Sequence, residues 1–278
     1  MKFGGMLLRP WNSPEDWAKQ ALDMGYTAVY FPVDHTAPQK EIDAYVEASK
    51  AAGLTIAEVG VWNNTLDTNL HQRELAIAHA IRQLELADYV GANCCVNIAG
   101  SYNPTQWDGH HPDNLTQRAF DEIVEVSQRI VDAVNPKRTA YTLEPMPWMY
   151  PDSAESCLKL IQAIDRKGFA AHLDMVNVIS SPALFYRNGV LIEEWFETLG
   201  PYIRSCHAKD IVLGNTLTVH LDECRPGLGA LDYVTYLKCI DQLDDHVTLM
   251  LEHMTEEEDY IEATAYLKAL ATDIGVSL

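Results

Sequence analysis

Short apolar, β-branched runs alternate with longer segments of helical periodicity along the whole chain. The runs predict strands over Phe3–Leu8, Ala28–Pro32, Thr55–Val61, Cys94–Ala99, Ala140–Glu144, Phe169–Asp174, Ile203–His207 and Val247–Glu252. Each is followed by a segment able to form a helix. A strand that feeds a helix and then another strand pairs in parallel with its predecessor, because the helix carries the chain back to the same end of the sheet. Eight such units close a (β/α)8 barrel, an architecture that reaches about 250 residues as one unit. The 278 residues are therefore read as a single α/β domain, 1–278.

The punctuation agrees with this pattern. Ser13-Pro14-Glu15-Asp16 offers an N-cap, a proline in the first turn and acids at the positive end of the helix dipole; Asp152-Ser153-Ala154-Glu155 and Thr255-Glu256-Glu257-Glu258 repeat the logic. Gly25, Gly53 and Gly168 precede strands, where a left-handed cap is expected. The two longest irregular stretches, Gly100–Asn114 and Leu213–Leu231, both follow strand ends. Loops there build the working face of a barrel, so their length points to ligand binding.

Charge narrows the function. Forty acidic against 20 basic residues give a net charge of −20, which repels phosphate backbones and anionic membranes. Nucleic acid and membrane are disfavoured as partners, and a small molecule is expected. The 6 cysteines form no C-x-x-C pair, as in a reduced, cytoplasmic enzyme without a thiolate metal site. The stretch MKFGGMLLRPW is too short in apolar residues for a secretion signal, and no segment reaches the ~20 apolar residues of a membrane span.

The last four strands end in side chains able to hold a cation: Glu144, Asp174, His207 and Glu252. A lone acid at a strand end is ordinarily a solvated terminus or a cap. Four at consecutive strand ends converge on one mouth, where three carboxylates repel one another unless a cation joins them. The set is mostly hard, suited to Mn2+ first and also to Mg2+, Co2+ or Zn2+.

These residues, in this order, resemble the xylose-isomerase-like barrel superfamily, which includes ketose 3-epimerases and inosose dehydratases; the likeness spans essentially the whole chain. The resemblance implies one divalent metal held by Glu144, Asp174, His207 and Glu252, with Glu144 and Glu252 also acting as acid and base. It implies a sugar isomerase or epimerase in which a proton leaves a carbon beside a carbonyl and the metal stabilises the enediolate. A lyase or dehydratase acting on a keto-sugar or inosose shares the first step and is the alternative. A non-catalytic sugar-binding barrel is the third reading. A free sugar, cyclitol or glycoside is the expected ligand, since the low basic content disfavours a dedicated phosphate clamp. A homo-oligomer is allowed.

Glu223 to Asp232, ECRPGLGALD, resembles the family's Arg and P-G-x-G loop, so Arg225 is either a substrate clamp or a surface arginine paired with Glu223 or Asp222. The chain departs from the ketose epimerases at Asn177, where they carry histidine; an amide binds a hydroxyl but supplies no acid. Trp148 offers an aromatic wall to a sugar, or packs as core or lid. Lys209 shares a side of its strand with His207 and is expected to contact substrate or support the ligands. Asp34-His35, Asn63-Asn64 and His110-His111 are secondary polar candidates, and Cys94-Cys95 reads as buried packing.

Overall fold

The computed structural model describes residues 1–244 and 246–278. Ten strands occur among them: β1 (Lys2–Gly5), β2 (Ala28–Tyr30), β3 (Thr55–Gly60), β4 (Cys94–Asn97), β5 (Tyr141–Leu143), β6 (Phe169–Asp174), β7 (Ile203–Ala208), β8 (Asp210–Leu213), β9 (Leu221–Cys224) and β10 (Thr248–Leu251). The helices are α1 (Pro14–Asp23), α2 (Gln39–Ala51), α3 (Leu70–Val90), α4 (Gln117–Val134), α5 (Ala154–Ile164), α6 (Pro182–Phe185), α7 (Asn188–Leu199), α8 (Tyr233–Asp241) and α9 (Glu257–Ile274). Strands β1 to β7 and β10 pair in parallel and close into a barrel in the order β1-β10-β7-β6-β5-β4-β3-β2.

All eight predicted strands are present, most of them shorter at the ends than their apolar runs. Leu213–Leu231 is not wholly irregular. Strands β8 and β9 form an antiparallel hairpin, with Asp210 opposite Cys224 and Leu213 opposite Leu221. Asp210 closes the loop behind it: its carboxylate accepts from the backbone N–H groups of Gly227, Gly229 and Leu231 at 2.9 to 3.1 Å. A side chain at Gly229 would collide with that carboxylate, which accounts for the glycine.

Ser13 caps α1, and Ser153 forms a reciprocal capping box with Ser156 on α5. Thr255 is not a cap; α9 starts one residue later with no side-chain capping bond, and Glu257, Glu258 and Asp259 lie in its first turn. Gly25 and Gly53 are left-handed, at φ 72° and 68°. Gly168 is not. α5 already ends at Asp165, which takes the left-handed position at φ 47°, and Gly168 instead abuts Pro136 and Val131.

The main apolar core lies between strands and helices, where Trp17, Leu84, Ile130, Trp195, Leu237 and Leu267 are buried. Inside the barrel the apolar filling is slight: Ala28, Ala57 and Met250, with Tyr30 against them. Much of the remaining interior is polar. Glu58 accepts from Ser205 and meets His172 at 3.2 Å, and Thr248 donates to Ser205 at 2.7 Å. Buried polar groups persist only when paired, and this chain of contacts rises to the ligand-bearing end of β7.

Candidate active site

Register places the candidate ligands side by side. Asp174 pairs across the ladder with His207, and Ala208 with Leu251, the residue before Glu252. Glu144 follows β5 directly, its N–H donating to the Asn97 carbonyl at 2.8 Å. Two buried tyrosines of α8 hold the end of β7: Tyr236 donates to the His207 carbonyl at 2.9 Å and Tyr233 to the Lys209 carbonyl at 2.7 Å.

The four side chains converge. His207 Nδ1 lies 3.0 Å from Glu252 Oε2, 3.4 Å from Glu144 Oε1 and 3.7 Å from Asp174 Oδ2. One ligand atom from each falls within 4.8 Å of all the others. His207 Nδ1 and Glu252 Oε2 are buried without a hydrogen-bond partner. Asp174 Oδ2 lacks one too, although Lys209 Nζ approaches it as an ion pair at 2.8 Å off the hydrogen-bond direction. Buried polar atoms without partners are costly, and three of them facing one point fit a divalent cation. The donor set, three carboxylate oxygens and one imidazole nitrogen, suits Mn2+, Mg2+, Co2+ or Zn2+.

Glu58 was not anticipated. From β3 it reaches across the barrel, with Oε2 3.3 Å from His207 Nε2 and Oε1 3.2 Å from His172 Nε2. It fixes the imidazole so that Nδ1 faces the carboxylates, the usual arrangement behind a metal-bound histidine. Burial opposes its charge, but His207 and His172 outweigh that and hold its carboxyl well below the usual range. The available signal was an acid within the apolar run TIAEVG, since a charge inside a buried strand needs a partner.

Lys209 is buried and central. Its ammonium lies 2.8 Å from Glu223 Oε1, 2.9 Å from Asn177 Oδ1 and 3.6 Å from Glu252 Oε2, besides Asp174. Burial disfavours its charge, yet Asp174, Glu144, Glu252 and Glu223 together keep it firmly protonated. Asn177 links it to the ligands, donating from Nδ2 to Glu144 Oε1 at 2.9 Å. Among the protein groups alone, burial and the neighbouring Glu252 and Asp174 raise the Glu144 carboxyl against the pull of His207. For Glu252 burial is outweighed by His207 and Lys209, which lower it.

Above this cluster opens a cavity of about 860 Å³, with Glu144, Asn177, Glu223, Glu252 and Trp148 in its wall. Arg225 is not brought there. The loop folded around Asp210 turns it toward α9, where it pairs with Asp259 and Glu262. Lys209 lies behind the wall, held by the contacts above. Trp148 is in the wall, its indole N–H donating to the Asp108 carbonyl at 2.8 Å.

The secondary candidates serve structure. His35 meets His79 at 3.0 Å, Asn64 Oδ1 accepts from Ser101 and Leu66, and His111 Nδ1 accepts from the Asp113 N–H. Cys94 and Cys95 are buried, and burial pushes both thiols up. A larger concavity of about 1200 Å³ lies at the opposite end of the barrel, lined by residues such as Asn135, Arg138, Arg166 and Arg204. It contains none of the convergent ligands.

Residues 18–270 match the profile of the xylose isomerase-like TIM barrel family. The chain belongs to this family. A xylose isomerase-like TIM barrel protein from Mycobacterium smegmatis in complex with magnesium superposes with a TM-score of 0.68 at 16% identity, covering 95% of this chain and 90% of that one. D-psicose 3-epimerase from Clostridium cellulolyticum H10 gives 0.71 at 13% identity, covering 100% of both chains. A probable 3-DHS dehydratase from Bacillus anthracis gives 0.71 at 17%, covering 98% of this chain and 99% of that one. No curated protein matches in sequence. At such identities the superpositions show the shared barrel alone. No helix among the described residues is long and apolar enough to cross a membrane.

Proposed function

We propose that the protein is a divalent-metal-dependent sugar isomerase or epimerase, with Glu144, Asp174, His207 and Glu252 as ligands and Mn2+ as the preferred ion. The observation that carries this reading is the set of buried, partnerless His207 Nδ1 and Glu252 Oε2 atoms converging with Glu144 and Asp174. A cation held there supplies the positive charge that draws in a carbonyl and neighbouring hydroxyl and lowers the cost of enediolate charge. Asp174 is fixed for such a role, since its Oδ1 accepts from the N–H groups of Val176 and Asn177 at 2.9 and 3.1 Å and leaves Oδ2 facing the cluster.

Glu144 and Glu252 directly follow strands β5 and β10, which are separated in the barrel by β6 and β7. Both line the cavity, so a substrate carbon between them is reached from two sides. One carboxylate takes the proton beside the carbonyl, and the other returns a proton to the opposite face. Asn177 orients Glu144 and offers its amide to a hydroxyl. Lys209 holds Asp174 and Glu223 in place, and Trp148 supplies an aromatic wall.

The same proton abstraction leads to elimination when the β-carbon carries a leaving group, so a keto-sugar lyase or dehydratase is the second reading; the likeness to a probable dehydratase favours keeping it. A panel of keto-sugars in D2O with the Mn2+-loaded protein tests the proposal. Metal-dependent deuterium incorporation beside the carbonyl, with the epimer or isomer formed, is expected. Metal bound without exchange from any keto-sugar would leave a sugar-binding barrel in its place.

A further inference from the structure

Of the chain's 6 tryptophans, Trp17 and Trp195 are buried in the core, whereas Trp62, Trp107 and Trp148 are 42%, 39% and 39% exposed. All three of these exposed indoles line the cavity over the ligand cluster. They come from three separate loops, after β3, after β4 and after β5, which are neighbours in the barrel. Large exposed aromatics gathered at one mouth mark a binding surface, since each leaves apolar area in water that a ligand would cover. The Trp148 bond to the Asp108 carbonyl ties the second and third loops together, so the wall is built before anything binds. Across the opening stand Val219 and Leu221, from the β8–β9 hairpin.

The floor and the mouth differ in chemistry. Glu144, Asn177, Glu223 and Glu252 lie at the ligand end, while the mouth is aromatic and aliphatic. The wall, among the described residues, contains no lysine or arginine and carries Asp108 besides the glutamates. A phosphate group would meet these carboxylates with no lysine or arginine in the wall, and the basic side chain that does line it, His253, is already paired with Glu223 at 2.9 Å. At about 860 Å³ the cavity falls in the upper part of the range that encloses drug-sized ligands, well beyond one monosaccharide ring.

We infer that the substrate is an uncharged keto-sugar carrying a second ring, glycosyl or aryl, on its anomeric carbon: the keto-sugar sits at Glu144 and Glu252, and the second ring lies against Trp62, Trp107 and Trp148. This rests on the isomerase or epimerase reading and narrows its substrate. A blocked anomeric carbon cannot take part in aldose–ketose exchange. The carbonyl then belongs to a ring carbon, the reaction is epimerisation or elimination beside it, and an oxidation of a secondary hydroxyl must supply the substrate.

The test compares a free keto-glucose, a phenyl keto-glucoside, a keto-disaccharide and a keto-hexose phosphate with the Mn2+-loaded protein, following proton exchange and kcat/KM. At least one ring-bearing compound should exceed the free sugar by about tenfold or more, the phosphate should be poorest, and the better ring-bearing compound identifies the ring. Trp62→Ala and Trp107→Ala should lower kcat/KM for that compound about tenfold more than for the free sugar. Equal rates on free and ring-bearing sugars, or equal losses in the variants, would overturn the inference. So would sedimentation showing that a second copy covers the mouth and that the variants disperse it. Absence of exchange from every compound would instead defeat the isomerase reading. In that case, intrinsic fluorescence titrated with unreactive phenyl glucoside still decides the subsite: saturable quenching that weakens in Trp107→Ala supports it, and no saturable change rejects it.

Discussion

Glu58 and His207 meet inside the barrel, carboxylate Oε2 to imidazole Nε2 at 3.3 Å, so that the other ring nitrogen is left to the three carboxylates above. Glu58→Gln retains the shape but weakens the orienting contact, and it is expected to reduce Mn2+ affinity about 10- to 100-fold by calorimetry. Glu58→Ala strips His172, Ser205 and His207 of a shared partner and is expected to cost about 3–5 kcal/mol in denaturant unfolding. Unchanged metal affinity in the glutamine variant would reduce Glu58 to a structural role.

Chelation is expected to abolish activity, with Mn2+, Co2+ or Mg2+ restoring it. Binding to the folded state alone also raises the melting temperature, by about 2.7 kcal/mol of stability when the metal is at 100 times its Kd. His207→Ala should lower metal content as well as rate. Full activity after verified metal removal would defeat the metal-dependent reading.

Lys209 sets the charge balance of the site without a metal, because its ammonium contacts Asp174 and Glu223 and approaches Glu252. Lys209→Met leaves the buried Asp174 and the largely buried Glu252 uncompensated and is expected to destabilise the metal-free protein by about 3–5 kcal/mol. Mn2+ should recover more stability in the variant than in the parent. Equal metal-induced shifts would show that lysine and cation do not share the same carboxylates.

Much of this was legible in the chain, and the reason is periodicity. β6 runs over Phe169–Asp174 as its apolar run predicts, and the same run aims Asp174 at the mouth. Contacts between distant segments were not legible. Glu58 and His207 are 149 positions apart, and nothing in either local pattern names the other. Arg225 shows the limit differently: its motif was visible, but its direction depends on the loop wrapping around Asp210 and on the acids of α9. The β8–β9 hairpin was missed because its strands are four residues each, and β9, LDEC, is too polar to stand out as a strand.

His79 provides a pH signature away from the metal site. Burial first, and then the neighbouring His35, lowers its pKa below the usual histidine value. A group with a depressed folded pKa takes up its proton more readily in the unfolded chain, so its contribution is present above about pH 6.5 and is lost as pH falls below it. The side chain is only partly buried, so the effect is expected to be under about 1 kcal/mol. Urea midpoints should fall more between about pH 7.5 and 5.5 in the parent than in His79→Gln. Parallel curves would remove His79 from the acid response.

The two-glutamate mechanism is separable from the metal site that shares its residues. Glu144→Gln and Glu252→Gln each keep the side-chain length and one oxygen able to coordinate, but neither amide accepts a proton at neutral pH. Asn177 donates to Glu144 Oε1, and a glutamine oxygen can accept that bond, so the cavity wall should survive the first substitution. Turnover should fall by about 10²- to 10⁴-fold in each variant while bound metal stays near stoichiometric, which places the loss in kcat more than in KM. An epimerase needs one carboxylate for each face of the carbon. Each variant should therefore still exchange the proton on the face served by the remaining glutamate, and the two should do so from opposite substrate epimers. Exchange lost from both epimers in one variant would assign all proton transfer to that glutamate alone, and near-parental turnover in both metal-loaded variants would refute the pair as acid and base.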